Sequence, residues 1–307
     1  MPLRFTLRQL EYFVAVGQCG SIAGASDKLN VSSPSISAAI AQLEAELGLS
    51  LFVRKHAHGL SQTTAGARLL EHSEKILLTA GELNDLAGEI SGNVQGPLRL
   101  GCLLTFAQVI APRVRREFEA EYPEVTIRQY ELNQVDIFSR IRRAELDVAL
   151  TYELDIPSDL EFVPLLGLSP YVIVSPEHPL AHLDEITVED LKDHAMILLD
   201  LPHSSEYFLS FFKSQGQRPK IAERTHDMAV MRSLVANGFG YSIANIRPLN
   251  DESPDGGKLK LIPLVGDVRP LNMGLLMAKG ADTSITVRAF TSHCEDMIKA
   301  KKLPGLT

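Results

Sequence analysis

Residues 31–47 read V-S-S-P-S-I-S-A-A-I-A-Q-L-E-A-E-L, and this stretch decides the fold of the first part of the chain. Ser33 followed by Pro34 is a helix start. A serine oxygen accepts from a free first-turn N–H, and proline presets the helical φ where its missing N–H is not needed. Ile36, Ile40, Leu43 and Leu47 then recur at i, i+4, i+7 and i+11. That is one apolar stripe, leaving Ser35, Ala38, Ala39 and Gln42 outward. Upstream, Ser21 caps a helix carrying Ala23, Ala25 and Leu29, and a turn through Asn30, Val31 and Ser32 joins it to the Pro34 helix. A still earlier helix follows Thr6, with Leu10, Phe13 and Val14 at helical spacing and a stop near Gly17 and Gly20. Two short helices joined by a tight turn make a helix-turn-helix. Spacing alone does not separate DNA binding from any small helical domain that packs such stripes.

The runs L-R-Q-L-E-Y-F-V-A-V from Leu7, G-S-I-A-G-A-S-D-K-L from Gly20, V-S-S-P-S-I-S from Val31 and Q-L-E-A-E-L-G-L-S-L-F-V-R from Gln42 closely resemble the winged helix-turn-helix of LysR-type regulators. The resemblance implies that the Pro34 helix enters the major groove of an operator, with Ser33, Pro34, Ser35, Ser37, Ala38 and Gln42 toward DNA. It also implies that Arg54 and Lys55 lead into a wing, from Arg54 through Gly59 to Thr64, that lies against the backbone. Relatives commonly carry glutamine and arginine where this chain has Ser33 and Ala38. Serine bonds a phosphate or base edge and an alanine methyl packs on thymine, but neither gives a bidentate contact to guanine. His56 and His58 flank Ala57 in the wing. Without nearby carboxylates or cysteines this H-x-H is read as phosphate or solvent contact, not as a metal site.

From Thr64 the pattern lengthens into one helix ending around Gly92. Leu69, Ile76, Leu83 and Ile90 recur every seven residues, with Ser73, Ala80 and Ala87 between them. Such a seam needs a partner. Its own body could supply one, but the resemblance implies a linker helix paired with a second subunit in a homodimer or homotetramer, which sets two heads on adjacent half-sites.

Ser91-Gly92-Asn93 and Gly96-Pro97 break that helix, and a different rhythm follows. Strand-like runs at 98–103, 125–130 and 148–151 alternate with helical runs at 109–118 and 135–141, which predicts a parallel sheet flanked by helices. After an irregular 152–159, strands are expected at 171–174, 196–199, 241–244 and 273–277. Thr187-Val-Glu-Asp190 is a capping-box start, Gly238-Phe-Gly240 ends a helix, and a last helix follows Thr283. P-L-R-L-G at Pro97, E-Y-P-E-V at Glu121, A-E-L-D-V-A-L at Ala144, E-H-P-L-A at Glu177 and V-A-N-G-F-G-Y-S at Val235 carry the LysR resemblance onward. The expected fold is α/β with an N-terminal all-α winged helix-turn-helix, a long linker helix and a two-lobed, periplasmic-binding-protein-like α/β effector domain. The expected bounds are 1–64, 65–92 and 97–307, with one lobe over about 97–166 plus 271–307 and the other over about 167–270.

A ligand of such a domain belongs between the lobes, where strand ends and helix starts converge. Thr105, Asn133 and Thr151 stand at strand exits of one lobe, and His203 and Ser204 follow a strand of the other. LysR-like effector contacts come from these loops, most directly at Thr105, where a hydroxyl and nearby amides suit an anionic or carboxylate co-inducer. For each of these residues, capping or turn chemistry is the competing reading. His203 is read as a source of pH sensitivity or carboxylate selection, although a lone loop histidine is more often a surface residue, and Phe239, between two glycines, as core packing ahead of pocket lining.

The net charge of −8 opposes DNA binding until it is divided along the chain. Residues 1–66 carry five cations against four carboxylates, a net of +1, and the remainder carries −9. A small nucleic-acid module on an acidic body fits that asymmetry. The three cysteines, Cys19, Cys102 and Cys294, are far apart and read as buried thiols, with neither disulfide framework nor zinc. No G-x-S-x-G, P-loop, H-E-x-x-H or G-x-G-x-x-G after a strand is present, which opposes an enzyme. No apolar leader or membrane-length run is present, which opposes a transport binding protein and places the protein in the cytoplasm with no membrane partner. No cysteine lies between Ser175 and Leu271, which opposes a thiol redox regulator. No cofactor is expected. RNA polymerase joins operator DNA and the small molecule as an expected partner.

Overall fold

Thr6 opens the first helix with a capping box: its backbone N–H donates to Gln9 Oε1 at 2.7 Å while its Oγ1 accepts from Gln9 N–H at 3.2 Å. The computed structural model describes residues 4–55, 59–91 and 93–303, without the side chains at 54, 55, 78, 82 and 84–91. The H-x-H histidines at 56 and 58 lie outside the described residues. Two compact units divide the chain, Met1–Ala87 and Gly88–Thr307.

In the first unit, α1 (Leu7–Cys19) ends on Gly20 at φ 65. Gly17 does not stop that helix as expected. It sits inside it, where an added Cβ would stand 2.7 Å from Leu70 Cδ1, so its role is close approach. α2 (Ile22–Leu29) is capped by Ser21 and closes on Asn30 at φ 53. α3 (Ser33–Leu47) takes its cap from Ser32, one residue before the expected Ser33, because Ser32 has the extended backbone and its Oγ accepts from Ser35 N–H. β1 (Phe52–Lys55) and β2 (Gly59–Gln62) form an antiparallel hairpin. Glu44 fastens it to α3 by accepting from the N–H groups of Leu51 at 2.6 Å and Phe52 at 3.3 Å. α4 (Thr64–Ser91) follows. Ala25, Ile36 and Ile40 fill one small core of this unit, and Leu10, Phe13, Leu43 and Leu51 fill another. Cys19 is exposed, against expectation, because the last turn of α1 carries it past the buried stripe of Leu10, Phe13 and Val16.

The second unit begins with β3 (Gly96–Leu103), the short α5 (Leu104–Val109), α6 (Ala111–Glu121), β4 (Val125–Leu132), α7 (Gln134–Arg142) and β5 (Val148–Tyr152). β6 (Leu160–Leu168), β7 (Tyr171–Val174), α8 (Val188–Leu191), β8 (Ala195–Leu199), α9 (Ser204–Ser214) and β9 (Lys220–Thr225) continue it. α10 (Met228–Ala236), β10 (Ser242–Ala244), β11 (Lys260–Pro263), β12 (Leu271–Ala278) and α11 (Ile285–Lys299) complete it. The first lobe is the five-stranded sheet β4-β3-β5-β12-β6 with its helices. The second lobe has β7 between β10 and β11, and parallel β8 and β9 joined to β10 by the bridge Met196 to Tyr241.

The sheets are mixed where parallel ones were expected. β3, β4 and β5 run parallel, but β12 returns from the second lobe and pairs antiparallel with both β5 and β6. β6 escaped the reading because Pro164 and Gly167 interrupt it. As an edge strand it tolerates the proline, and the register shifts at Met273/Gly274 opposite. The expected 109–118 helix is two, broken at Ile110. A single core lies beneath both lobes, with Phe118 edge-on to Phe290 at 5.1 Å pinning α6 to α11. Burial pushes the Cys102 and Cys294 thiols up, so both stay protonated.

Candidate DNA-reading head and ligand cleft

On α3 the apolar side chains decide which face is free. Ile36, Ile40 and Leu43 are buried, so Pro34, Ser35, Ala38 and Gln42 emerge on the opposite side, with Ser33 and Ser37 half-buried at its border. Ala39, expected outward, is half-buried against the Ile36 cluster. Ser35 Oγ lies 2.8 Å from Ser32 Oγ, which holds the first turn together. The free face carries no charged side chain within Ser33–Gln42. Arg54 and Lys55 are in β1, in register with Leu60 and Gly59, and their side chains lie outside the described set.

α4 presents two faces. Leu69, Leu70 and Leu77 pack on the head's own core and Ser73 is buried, while Ile76 is 43% exposed and Leu83 65% exposed. Leu69 therefore contributes to the head rather than standing free with the other seam residues. The side chain of Ile90 lies outside the described residues.

In the second unit, Thr105 is buried in the first turn of α5, against the phenol of Tyr152, whose ring packs tilted against Phe106 at 4.6 Å. Burial pushes the Tyr152 phenol up, Tyr171 and Tyr207 nearby push the same way, and the Thr105 hydroxyl opposes them by hydrogen bonding. Thr151 is fully buried and its Oγ1 has no partner. Ser204 is buried at the start of α9. Asn133 is committed to capping α7: its Oδ1 accepts from Asp136 N–H at 2.9 Å and its Nδ2 donates to Asp136 Oδ2 at 2.7 Å. His203 is likewise engaged, with Nδ1 2.7 Å from Asp155 Oδ2. Phe239 does not lie in the core. Flanked by Gly238 at φ 80 and Gly240 at φ 147, it turns out to 54% exposure. It lines an open apolar groove of about 370 Å³ with Val230, Leu234 and Pro254.

A helix-turn-helix with a hairpin wing is followed by a two-lobed α/β unit, and both parts have named relatives. Residues 7–67 match the bacterial regulatory helix-turn-helix protein, lysR family, and residues 91–299 match the LysR substrate binding domain. The chain belongs to the LysR family. The HTH-type transcriptional regulator CysB of Haemophilus influenzae is 31% identical over 240 residues, covering 77% of this chain and 74% of that protein. The transcriptional activator protein LysR of Escherichia coli is 28% identical over 291 residues, covering 94% and 92%. The crystal structure of HinK, a LysR family regulator from Pseudomonas aeruginosa, superposes with a TM-score of 0.65 at 32% identity, covering 96% of this chain and 99% of that one. As a LysR-family member, the chain is a DNA-binding transcriptional regulator with a substrate-binding domain, and not an enzyme.

Sequence reasoning on this LysR-family chain missed four polar residues near the candidate ligand positions. Gln134 is buried and its Nε2 donates to the carbonyls of Tyr152 at 3.1 Å and Leu154 at 2.7 Å, leaving Oε1 without a partner. Asn245 Nδ2 donates to Leu168 carbonyl at 2.8 Å and to the Tyr207 phenol at 3.0 Å, leaving Oδ1 without one. Burial pushes the Tyr207 phenol up to about 12, with Asn245 and Arg269 opposing. Asp155 is the fourth. Only Gln134 carried a local signal, as the residue after a strand-exit cap. Among the described residues no three His, Cys, Asp or Glu side chains gather as a metal site, and no helix is long and apolar enough to cross a membrane.

Proposed function

We propose that this protein reads a specific operator through the free face of α3 and the β1–β2 wing. We also propose that it pairs through the outward seam of α4 as a dimer or a dimer of dimers, and is switched in the cytoplasm by a small molecule held between the lobes of residues 97–307. The observation that carries the ligand reading is Thr151: a fully buried hydroxyl without a partner, one residue from Tyr152 and its Thr105 neighbour. A buried polar atom left unpaired costs about 1–3 kcal/mol, which a bound donor or acceptor would recover. The hydroxyls of Thr105, Thr151 and Ser204 are donors suited to a carboxylate oxygen, and a carboxylate-bearing co-inducer is the leading class. A second reading, a neutral molecule rich in N–H or O–H groups, is favoured by the amide oxygens of Gln134 and Asn245, both acceptors without a donor.

A thermal-shift screen of small carboxylates, aromatic acids, polyols and amides separates the two readings, followed by footprinting. A ligand present at a hundred times its Kd stabilises the protein by about 2.7 kcal/mol. A ligand that raises stability and alters the footprint establishes the switch. If none in either class does so, the ligand reading fails.

The head has its own test. Ala38 is exposed on a face without charge, so Ala38→Arg adds a cation where the proposal puts DNA. The expected result is tighter binding to all duplexes, with a salt slope steeper by about one unit, or a preference shifted toward guanine. Affinities, slopes and preferences identical to wild type would mean that this face does not meet DNA.

A further inference from the structure

The corner between β8 and α9 is built in a way that the second lobe does not need. His203 has φ 64 and ψ −37, and Ser204 N–H donates to Pro202 carbonyl at 2.8 Å across it. A bond from i+2 back to i around a positive-φ centre is the rare, strained form of γ-turn, which glycine would enter with less strain than histidine. On the other lobe, in the irregular 153–159 segment after β5, Asp155 also holds a left-handed backbone at φ 46. These two strained residues, 48 positions apart, are the ones that meet, Nδ1 of His203 standing 2.7 Å from Asp155 Oδ2. A carboxylate only accepts, so the ring nitrogen carries the proton and donates. The same imidazole lies 5.8 Å from the Phe138 ring on α7. His203 is thus held by two groups from the lobe it does not belong to.

An exposed polar contact returns too little to repay strain at both of its ends, and the Asp155 side chain is 66% exposed. Nor does His203 cap α9 with its side chain. The contact makes sense by position. Tyr207 and Asn245 bond the carbonyls of Arg269 and Leu168, which adjoin the two connections between the lobes. Asp155 and His203 lie in neither connection, so their bond is one that must break when the lobes part.

We infer that Asp155 and His203 form a clasp between the lobes, which restrains the cleft and sets how readily a co-inducer enters or leaves it. The clasp itself stands on geometry, and its effect on a co-inducer rests on the ligand reading above.

Hydrogen exchange on the full-length protein without any ligand tests it. Asp155→Gly removes the carboxylate without forcing a Cβ into φ 46, and Asp155→Asn keeps an acceptor oxygen. The readout is on the other lobe, at the amides of Ser205 and Tyr207, which donate to the carbonyls of Leu201 and His203. The expected result is exchange about tenfold faster there in Asp155→Gly, within about threefold of wild type in Asp155→Asn, and unchanged in β3. Wild-type exchange at 203–208 in Asp155→Gly would overturn the clasp. So would acceleration spread equally over both lobes, or an asparagine variant as fast as the glycine one. Because no ligand is used, this outcome and that of the ligand screen are independent.

Discussion

Leu83→Asp is expected to leave the protein monomeric and to weaken operator binding by on the order of a hundredfold to ten-thousandfold, the range by which linking two weak sites raises affinity. The wild-type side chain is 65% exposed in the single chain, so a monomer loses little packing by the change. The cost falls on the pair. A carboxylate placed in an apolar seam must be desolvated without a partner, which takes several kcal/mol, more than the loss of one leucine contact. DNA affinity follows because the free face of α3 carries no cation between Ser33 and Gln42, and a head with so few strong contacts depends on a second head at a linked half-site. Sedimentation velocity and anisotropy on an operator defined by footprinting read both effects. A variant that remains dimeric with unchanged operator affinity rules out α4 as the pairing element.

The elements of the head were legible because each is set locally. Thr6, Ser21 and the Ile36–Ile40–Leu43 stripe specify caps and faces within a few residues of themselves, and the structure uses all of them. Ser32 and Ser33 show the limit of such signals. Either serine satisfies the same helix-start pattern, and only the backbone angles distinguish them. β6 shows another limit, since proline and glycine erase a strand signal unless the segment is known to lie at a sheet edge, which depends on β12 a hundred residues later. The candidate ligand site was half legible for the same reason. Thr105, Thr151 and Ser204 are named by their own strand and helix ends. Asn133 is named by the same rule, yet its cap consumes both ends of its amide. Nothing near His203 announces Asp155, because that pairing is made across two lobes, and nothing near Tyr207 announces Asn245, which packing within the second lobe brings from 38 residues away.

Thr105→Val is expected to weaken the co-inducer found by screening by about tenfold to a hundredfold while leaving operator affinity as it was. A hydrogen bond to a charged ligand group is worth about 1.5–3 kcal/mol, and each 1.4 kcal/mol is a factor of ten. Thr105 is buried at the exit of β3, and valine retains its shape while deleting the hydroxyl. Its neighbour there is the Tyr152 phenol, which remains packed on Phe106 at 4.6 Å, so the fold is expected to survive with a modest drop in melting temperature. Thr105→Ser separates the two roles of the residue: it restores the hydroxyl and gives up only a methyl, so ligand affinity should return while the small packing loss stays. Calorimetry on wild type, valine and serine forms, with operator binding measured in parallel, gives the three numbers needed. If the valine form binds co-inducer as wild type does, the Thr105 hydroxyl serves Tyr152 alone, and the ligand must take its contacts from Thr151, Ser204, Gln134 or Asn245.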